Sequence, residues 1–296
     1  MSGLTGRVVE WRSAGAVERF RDRDIHVFER PGDGPPLLLL HGFPSSSFDW
    51  RPLLAAAGGR EALAFDFLGF GLSDKPRDHV YSLFWQADLT EELVRRRIGD
   101  RPVFIVAHDM GTSVATELLA RAIDGRLGFE IEGVLLFNGS IVLDRATLTP
   151  AQRLLRSPLG GLAGRLSGER VFRHQFGGVF SATHPLTDAE AADQWSLICH
   201  NGGRTLGHRL IHYLSERQRY TERWHGAIRD WDGPLSFAWG LQDPVATTAV
   251  LEALVELRPS APVDRLPELG HYPQLEDPAA IAAALEAAIS FAGGAA

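Results

Sequence analysis

One stretch, residues 103–115, constrains the fold of this 296-residue chain more than any other. Val103–Val106 are four consecutive apolar residues, the pattern of a short buried strand. His108 and Asp109 follow in a tight turn, and from Thr112 onward apolar residues recur at helical spacing. The sequence therefore predicts a buried strand that passes almost directly into a helix, with Asp109 at the sharp turn between them.

Apolar runs alternate with amphipathic stretches along most of the chain, which predicts an α/β fold with a mainly parallel, doubly wound sheet. A first hairpin is predicted from Val8–Phe20 and Asp24–Phe28. Further strands are predicted at Leu37–Leu40, Ala62–Phe67, Val103–Val106, Ile131–Phe137, Gly233–Trp239 and Val263–Leu266. Helices are predicted over Phe48–Ala57, Tyr81–Arg97 and Pro278–Phe291, besides the one that follows Asp109.

The alternation stops between residues 142 and 231, where helical periodicity is interrupted by prolines and glycine pairs. We predict that residues 142–231 form a helical cap inserted into a core made of residues 1–141 and 232–296. Its candidate helices are Pro150–Leu155, Glu169–Phe176, Asp188–Cys199, Thr205–Glu216 and Arg219–Ile228. A cap above Asp109 would exclude water from a site there, whereas the alternative is a decoration at the edge of the fold.

Composition disfavours several classes of protein. A net charge of −7 argues against a nucleic-acid surface, which needs a basic stripe. The arginine-rich run Arg204–Arg229 is interleaved with Glu216 and Glu222, so we interpret it as a solvated helix face. No signal peptide or membrane-spanning run is visible, and the single cysteine, Cys199, rules out an intramolecular disulfide and disfavours a cysteine metal site. We expect a cytoplasmic protein, monomeric or homodimeric.

Two later segments also follow strands and carry residues that can act with Asp109. Asp243 lies in Gly240–Pro244, after the strand that ends at Trp239, and His271 follows the last strand. Because catalytic groups of open α/β sheets gather at the carboxyl ends of the strands, we expect these three side chains to lie together. Their order along the chain is that of a nucleophile, an orienting acid and a base.

Other interpretations of these residues remain open. Asp109 could simply cap the N-terminus of the helix that follows it. Asn138, at the end of the preceding strand, or Asp144 could mark the place of the orienting acid. The Gly-Leu-Gln-Asp-Pro setting of Asp243 makes that residue the stronger candidate.

These motifs resemble those of the α/β-hydrolase superfamily, in particular its group of epoxide hydrolases and haloalkane dehalogenases. The resemblance rests on His41-Gly42-Phe43-Pro44, the Asp66–Asp74 loop, the turn at Asp109, Gly240–Pro244 and the Gly270–Pro278 segment. The stretches 213–228 and 271–278 also resemble the mesoderm-specific transcript proteins. The resemblance implies the α/β-hydrolase fold, a mainly parallel eight-stranded sheet with a helical cap, and a reaction that needs no cofactor or metal.

In the superfamily as a whole, the turn that carries the nucleophile normally reads Gly-x-Ser-x-Gly. Here Asp109 holds the serine position and Ala107 holds that of the first glycine. A carboxylate with a pKa of about 4 is ionised at neutral pH, and its attack on an activated sp³ carbon gives a stable alkyl ester. His271, oriented by Asp243, would then activate the water that hydrolyses this ester. The resemblance implies that the backbone N–H groups of Phe43 and Met110 form the oxyanion hole.

The leaving group separates the members of this group. Dehalogenases usually place a tryptophan directly after the aspartate, and here Met110, which cannot donate, occupies that position. Epoxide opening needs a proton donor, commonly a pair of cap tyrosines, and the cap contains Tyr213 and Tyr220. We therefore expect an epoxide hydrolase for small hydrophobic epoxides, with Tyr213 as proton donor. The alternatives are a haloalkane dehalogenase and a non-catalytic binding protein of the same fold.

Further residues are expected at the substrate site, namely His41, Pro44, His108, Trp195 and Tyr220. We expect His41 to hold its loop rather than to react, and Trp195 would bind halide in the dehalogenase alternative. The first half of the cap contains no tyrosine, although the resemblance places a second donor there. Either one tyrosine suffices, or a histidine takes the second role, the candidates being His174, His184, His200 and His212.

Overall fold

An eight-stranded sheet runs through the computed structural model of the protein, which describes residues 3–295. Its strands are β1 (Ala16–Phe20), β2 (Arg23–Arg30), β3 (Asp33–Leu40), β4 (Arg60–Phe65), β5 (Val103–His108), β6 (Ile131–Phe137), β7 (Leu235–Gly240) and β8 (Val263–Leu266). Their spatial order is β1-β2-β4-β3-β5-β6-β7-β8. The pairs β1/β2 and β2/β4 are antiparallel and the other five pairs are parallel, which confirms the predicted fold class.

Helices cover the sheet and fill the interval between β6 and β7. In chain order they are α1 (Gly6–Ala14), α2 (Trp50–Ala56), α3 (Leu83–Arg97), α4 (Met110–Ile123), α5 (Pro150–Arg156), α6 (Gly160–Leu166), α7 (Glu169–Gly177), α8 (Asp188–Cys199), α9 (Gly207–Leu210), α10 (Tyr213–Arg219), α11 (Thr221–Asp230), α12 (Thr248–Leu257), α13 (Pro273–Glu276) and α14 (Pro278–Ala295). No helix among residues 3–295 is long and apolar enough to cross a membrane.

The central strand β5 positions the turn at Asp109. Its apolar residues are buried because helices cover both faces of a parallel sheet. Leu40 pairs with Ala107 on one side, and His108 pairs with Phe137 on the other. The chain therefore leaves β5 at the carboxyl edge of the sheet, between the ends of β3 and β6.

Two predicted segments differ from the structure. Residues 6–14 form the helix α1 rather than the first arm of a hairpin, because Val8 and Trp11 are three residues apart on one helix face and are both buried. The ring of Trp11 stacks on Phe28 at 4.0 Å. The predicted helix Thr205–Glu216 is broken into α9 and α10, and the short helix α6 was not predicted.

Candidate active site

Asp109 has a strained backbone at the junction of β5 and α4. Its φ of 44° and ψ of −110° lie outside the regions that non-glycine residues ordinarily occupy. Although it is the residue before α4, its side chain makes no capping hydrogen bond. Oδ2 of Asp109 instead accepts a hydrogen bond of 2.9 Å from the backbone N–H of Phe43. The helix-capping alternative therefore does not describe this carboxylate.

Two glycines allow the turn to approach the neighbouring strand end. A Cβ atom at Gly42 would lie 2.8 Å from Cβ of Asp109, and one at Gly111 would lie 2.2 Å from the carbonyl oxygen of Leu40. Both distances are far below van der Waals contact. A larger residue at either position would therefore push the turn at Asp109, called the elbow below, away from the 41–44 loop. The close approach gives the N–H of Phe43 its position beside the carboxylate.

His41 holds this loop and has no ring nitrogen to spare. Its Nδ1–H donates to the carbonyl of Gly42 at 2.9 Å, and its Nε2 accepts from the N–H of Phe67 at 3.0 Å. Burial lowers the pKa of His41, which favours the neutral ring that this pair of bonds requires. Pro44, the next predicted substrate contact, follows a cis peptide bond and lines the cavity described below.

His271 and Asp243 are in direct contact, with 2.7 Å between Nδ1 and Oδ2. The other oxygen of Asp243 accepts from the N–H groups of Val245 and Ala246, at 2.7 and 3.0 Å. Burial alone would lower the pKa of His271, but the charges of Asp243 and Asp109 outweigh it and raise the pKa above its ordinary value. The two carboxylates therefore stabilise the imidazolium form.

The two rivals for the orienting acid are placed elsewhere in this arrangement. Asn138 donates from Nδ2 to Oδ2 of Asp243 at 2.8 Å. Its Nδ2 also donates to the carbonyl of Gly240, and its Oδ1 accepts from the N–H of Gly240. Asp144 has a side chain that is 75% exposed and faces Arg145. Asn138 thus supports the carboxylate of Asp243, and Asp144 takes no part in the site.

His108 lies beneath His271 instead of facing the cavity. Its Nε2–H donates to the carbonyl of His271 at 2.7 Å, and its Nδ1 accepts from Nε2 of Gln274 at 3.2 Å. Burial lowers the pKa of His108 well below its ordinary value. The neutral ring therefore supports the backbone of His271, a role different from the substrate contact expected from the sequence.

A cavity of about 420 Å³ opens between the core loops and the cap helices. The core contributes Phe43, Pro44 and His271, and the cap contributes Trp195 among many apolar side chains. The cap therefore covers the carboxyl edge of the sheet rather than decorating the edge of the fold. Among residues 3–295, no cluster of three or more His, Cys, Asp or Glu side chains is arranged to hold a metal ion.

Several predicted residues do not line this cavity. Asp109, Met110 and Tyr213 are outside the lining and almost wholly buried, and Asp109 reaches the cavity wall through its bond to Phe43. Tyr220 packs against Phe84 and Trp224, with ring centroids 4.7 and 5.7 Å away. The four histidines offered as substitute donors are also outside the lining, namely His174, His184, His200 and His212.

Tyr213 is buried near Asp109. Its ring packs on Phe43 with centroids 5.7 Å apart, and its hydroxyl has no hydrogen-bond partner among the described residues. Burial raises the pKa of Tyr213, and the charge of Asp109 raises it further. Tyr213 therefore presents a protonated phenol close to the Asp109 carboxylate.

A second tyrosine and an arginine, neither of which the sequence predicted there, lie at the site. Tyr272 lines the cavity, and its hydroxyl donates to the carbonyl of Phe43 at 3.2 Å. Its position directly after His271 is the signal that the sequence offers, whereas the resemblance points to donors in the cap. Arg217 is fully buried against Asp109, although the run 204–229 was interpreted as solvated. Its spacing of four residues from Tyr213 places both side chains on one helix face.

Comparison with known proteins agrees with this architecture. The sequence model of the Alpha/beta hydrolase family matches residues 37–284. The chain therefore belongs to the alpha/beta hydrolase family. It is 54% identical over 283 residues to the protein named "Putative hydrolase LipZ" of Mycobacterium tuberculosis, covering 96% of this chain and 97% of that protein.

Two further likenesses bear on the predicted resemblance. The mesoderm-specific transcript protein of Mus musculus is 35% identical over 286 residues, which cover 93% of this chain and 85% of that protein. The crystal structure of haloalkane dehalogenase DbeA from Bradyrhizobium elkani matches with a TM-score of 0.80 and 23% identity, covering 95% of this chain and 99% of that one. The second likeness concerns the fold alone. The family match confirms the predicted superfamily, and the structural likeness confirms the predicted fold.

Proposed function

We propose that the protein hydrolyses epoxides to vicinal diols through an alkyl ester on Asp109. The observation that carries this proposal is the buried hydroxyl of Tyr213, which has no hydrogen-bond partner among the described residues. The ring of Tyr213 packs on Phe43, whose N–H binds Asp109. A buried hydroxyl without a partner is costly, and the oxygen of a bound epoxide would supply the missing acceptor. A phenol with a raised pKa stays protonated until an alkoxide forms next to it.

In the first step, a carboxylate oxygen of Asp109 forms a bond to one epoxide carbon while the ring C–O bond breaks. The electron pair of that bond moves to the ring oxygen, which takes the proton of Tyr213. The N–H of Phe43 already binds Oδ2, so Oδ1 is the oxygen left to attack. Tyr272 lines the cavity, its hydroxyl donates to the carbonyl oxygen of Phe43, and it supplies a second phenol in place of the absent cap tyrosine.

In the second step, His271 removes a proton from water, and the hydroxide adds to the carbonyl carbon of the ester. The resulting oxyanion is stabilised by the N–H of Phe43 and by that of Met110, which as the first residue of α4 has no acceptor within the helix. When the intermediate collapses, the diol oxygen takes the proton from His271, and the new carboxylic acid returns a proton to the phenolate of Tyr213. The sum is one epoxide and one water converted to one diol.

The charge of His271 fits the order of these steps. Asp109 is one of the groups that raise the pKa of His271. Once the ester has formed, that negative charge is gone and the pKa of His271 falls. The imidazole therefore becomes the neutral base that the second step requires.

Haloalkane dehalogenation is the second candidate, and Trp195 favours it. Its side chain lines the cavity, and an indole N–H is the kind of donor that a released halide requires. Met110 provides no side-chain donor for a halide beside Asp109. A halide leaves as an anion and takes no proton, so the hydroxyl of Tyr213 would have no role as an acid. Epoxide opening needs the proton of Tyr213 and needs no halide donor at Met110, so it is the preferred proposal.

Intact-mass measurement on His271→Gln distinguishes these functions. Incubation with a panel of small alkyl and aryl epoxides should add the whole mass of one epoxide to the peptide that contains Asp109. Haloalkane chemistry would instead add an alkyl group without its halogen. Asp109→Asn is the matched control and should add neither. Turnover of haloalkanes with halide release, together with no adduct from any epoxide, would replace this proposal with the second candidate.

A further inference from the structure

Half of the large apolar side chains that are exposed within residues 3–295 lie in one short part of the cap. They belong to α5, α6 and the start of α7, and we call them the apolar rim: Leu154, Leu159, Leu162, Leu166 and Val171. The spacing from Leu159 through Leu162 to Leu166 is three and then four residues, so these three share one face at α6. Single exposed apolar residues are ordinary, whereas a group of this kind marks a contact surface.

The apolar rim continues into the mouth of the cavity. Leu154, Leu166 and Val171 are exposed to solvent and also line the cavity. These three side chains therefore lie where the cavity meets the outside of the cap. An apolar molecule that enters the cavity on this side passes over them.

Positive charge accompanies the apolar rim. Residues 150–173 contain five arginines and one glutamate, a net charge of +4 in a chain whose net charge is −7. Four of the arginines are exposed and have no carboxylate within 4.0 Å among residues 3–295, namely Arg153, Arg156, Arg165 and Arg170. The fifth, Arg173, pairs with Glu169 and Asp188. This part of the cap therefore combines exposed aliphatic side chains with cations that have no anion of their own.

We propose that α5, α6 and the start of α7 form a contact surface for an anionic lipid bilayer, toward which the cavity opens. The leucines of the apolar rim enter the boundary between headgroups and acyl chains, and the arginines bind the phosphate groups around them. The cavity mouth then faces hydrocarbon rather than water. A hydrophobic substrate that is dissolved in the bilayer reaches the site without crossing the solvent.

Two other occupants fit this surface less well. In a two-fold dimer of this chain, the same patch on each copy would meet and the arginines would repel one another. An acidic protein would pair with the arginines, but it would gain nothing from leucines that continue into an apolar cavity. A bilayer supplies anionic headgroups and hydrocarbon together. The inference goes beyond the proposed function and does not depend on it, because binding of lipid requires neither Asp109 nor an epoxide.

Sedimentation of the full chain with vesicles tests the proposal. Vesicles made of equal parts phosphatidylcholine and phosphatidylglycerol should carry the protein down, whereas vesicles of phosphatidylcholine alone should carry far less. Binding should fall as the ionic strength rises from about 0.1 M to about 1 M, because the Debye length shrinks from about 10 Å to about 3 Å. Absence of binding to the mixed vesicles at the lower salt would overturn the proposal.

Substitutions within the patch separate its two components. The double variant Leu159→Asp with Leu162→Asp removes two exposed side chains that do not line the cavity, and it should lose binding to the mixed vesicles. Arg165→Gln and Arg170→Gln should each weaken binding about fivefold. Ile123→Asp and Arg126→Gln are the matched controls. They lie at the far end of α4, which leads away from the cap side of the sheet, and should bind as wild type does.

The remaining outcomes are also decisive. Vesicle binding that depends on the arginines but not on the leucines would show adsorption by charge alone, as an acidic partner would require, and would overturn the proposed insertion. A wild-type dimer that the double leucine variant dissociates, with no vesicle binding by either, would assign the surface to a second copy instead. If the leucine variant does not fold, unchanged binding by Arg165→Gln and Arg170→Gln overturns the proposal. His271→Gln should bind vesicles as wild type does, so failure of the proposed reaction and failure of this inference are measured separately.

Discussion

The backbone N–H of Phe43 donates to Oδ2 of Asp109 across 2.9 Å, although the two residues are 66 positions apart in the sequence. This bond distinguishes the two oxygens of the carboxylate, because Oδ2 is held while Oδ1 faces Arg217. It depends on the narrow gap at Gly42 and on the fixed loop that His41 holds. The geometry of the 41–44 loop therefore determines how Asp109 is presented.

Gly42→Ala tests this dependence. The added methyl group would lie 2.8 Å from Cβ of Asp109, so the elbow and the loop must separate. Overpacking of this kind costs about 1–3 kcal/mol of unfolding free energy, and we expect a lower melting temperature together with a large loss of epoxide turnover. Gly58→Ala serves as a control for glycine replacement in general, since a methyl group there meets no neighbour, although the positive φ of Gly58 adds backbone strain. Wild-type turnover in Gly42→Ala would contradict the proposed placement of Phe43.

The pKa of His271 should depend on Asp109. Both Asp243 and Asp109 raise it above the ordinary value of 6.5, against the effect of burial. Asp109→Asn removes one of these charges and should lower the pKa of His271, measured by NMR titration of its ring protons. Because the base must be neutral, ester hydrolysis should fall as the pH is lowered through the pKa of His271 in the ester state, which lies below that of the free enzyme. An identical pKa in wild type and Asp109→Asn would show that the two residues are not coupled.

Asn138→Ala should weaken the support of the orienting acid. Loss of the 2.8 Å bond to Asp243 leaves a buried carboxylate with one donor fewer and frees the peptide of Gly240. We expect a loss of about 1–3 kcal/mol in unfolding free energy. Ester hydrolysis should slow by up to about a hundredfold through misplacement of His271. Chemical denaturation and single-turnover kinetics measure the two effects separately, and unchanged hydrolysis in a destabilised variant would confine Asn138 to a role in folding.

Tyr213→Phe should slow ring opening without changing the second step. Removal of the proton donor is expected to lower the rate of ester formation by about a hundredfold, while hydrolysis of ester already formed proceeds at the wild-type rate. Tyr81→Phe is the matched control, because its hydroxyl bonds to Pro76 away from the elbow. The variant that lacks both Tyr213 and Tyr272 hydroxyls should be slower still. Equal rates of ester formation in Tyr213→Phe and wild type would remove Tyr213 from the proposed mechanism.

The central strands were predictable because they contain short apolar runs in which every residue is buried. Leu37–Leu40 and Val103–Val106 carry that signal without ambiguity. Residues 6–14 carry a weaker one, since Val8 and Trp11 can lie on one face of a helix or within an alternating strand. Contact with Phe28, which lies in β2, decides for the helix, and such a tertiary contact is absent from local periodicity.

The candidate site was predictable where strand ends determine position. Asp109, Asp243 and His271 all follow strands, so the topology of the sheet brings them to one edge. The cap was not predictable in this way, because the partners of its helices depend on packing. Arg217 shows the difference, since it lies in a run of exposed charges and yet has no exposed surface. Only the fold shows that this one arginine faces the elbow.

The backbone strain at Asp109 has a consequence for how this protein can evolve. At φ 44° and ψ −110°, glycine would carry the least backbone strain because it has no Cβ to clash. Substitutions that relax the elbow are therefore expected to raise thermal stability while removing the nucleophile. Selection for stability alone would favour glycine at this position, so we expect an aspartate in this conformation only where its carboxylate has a function.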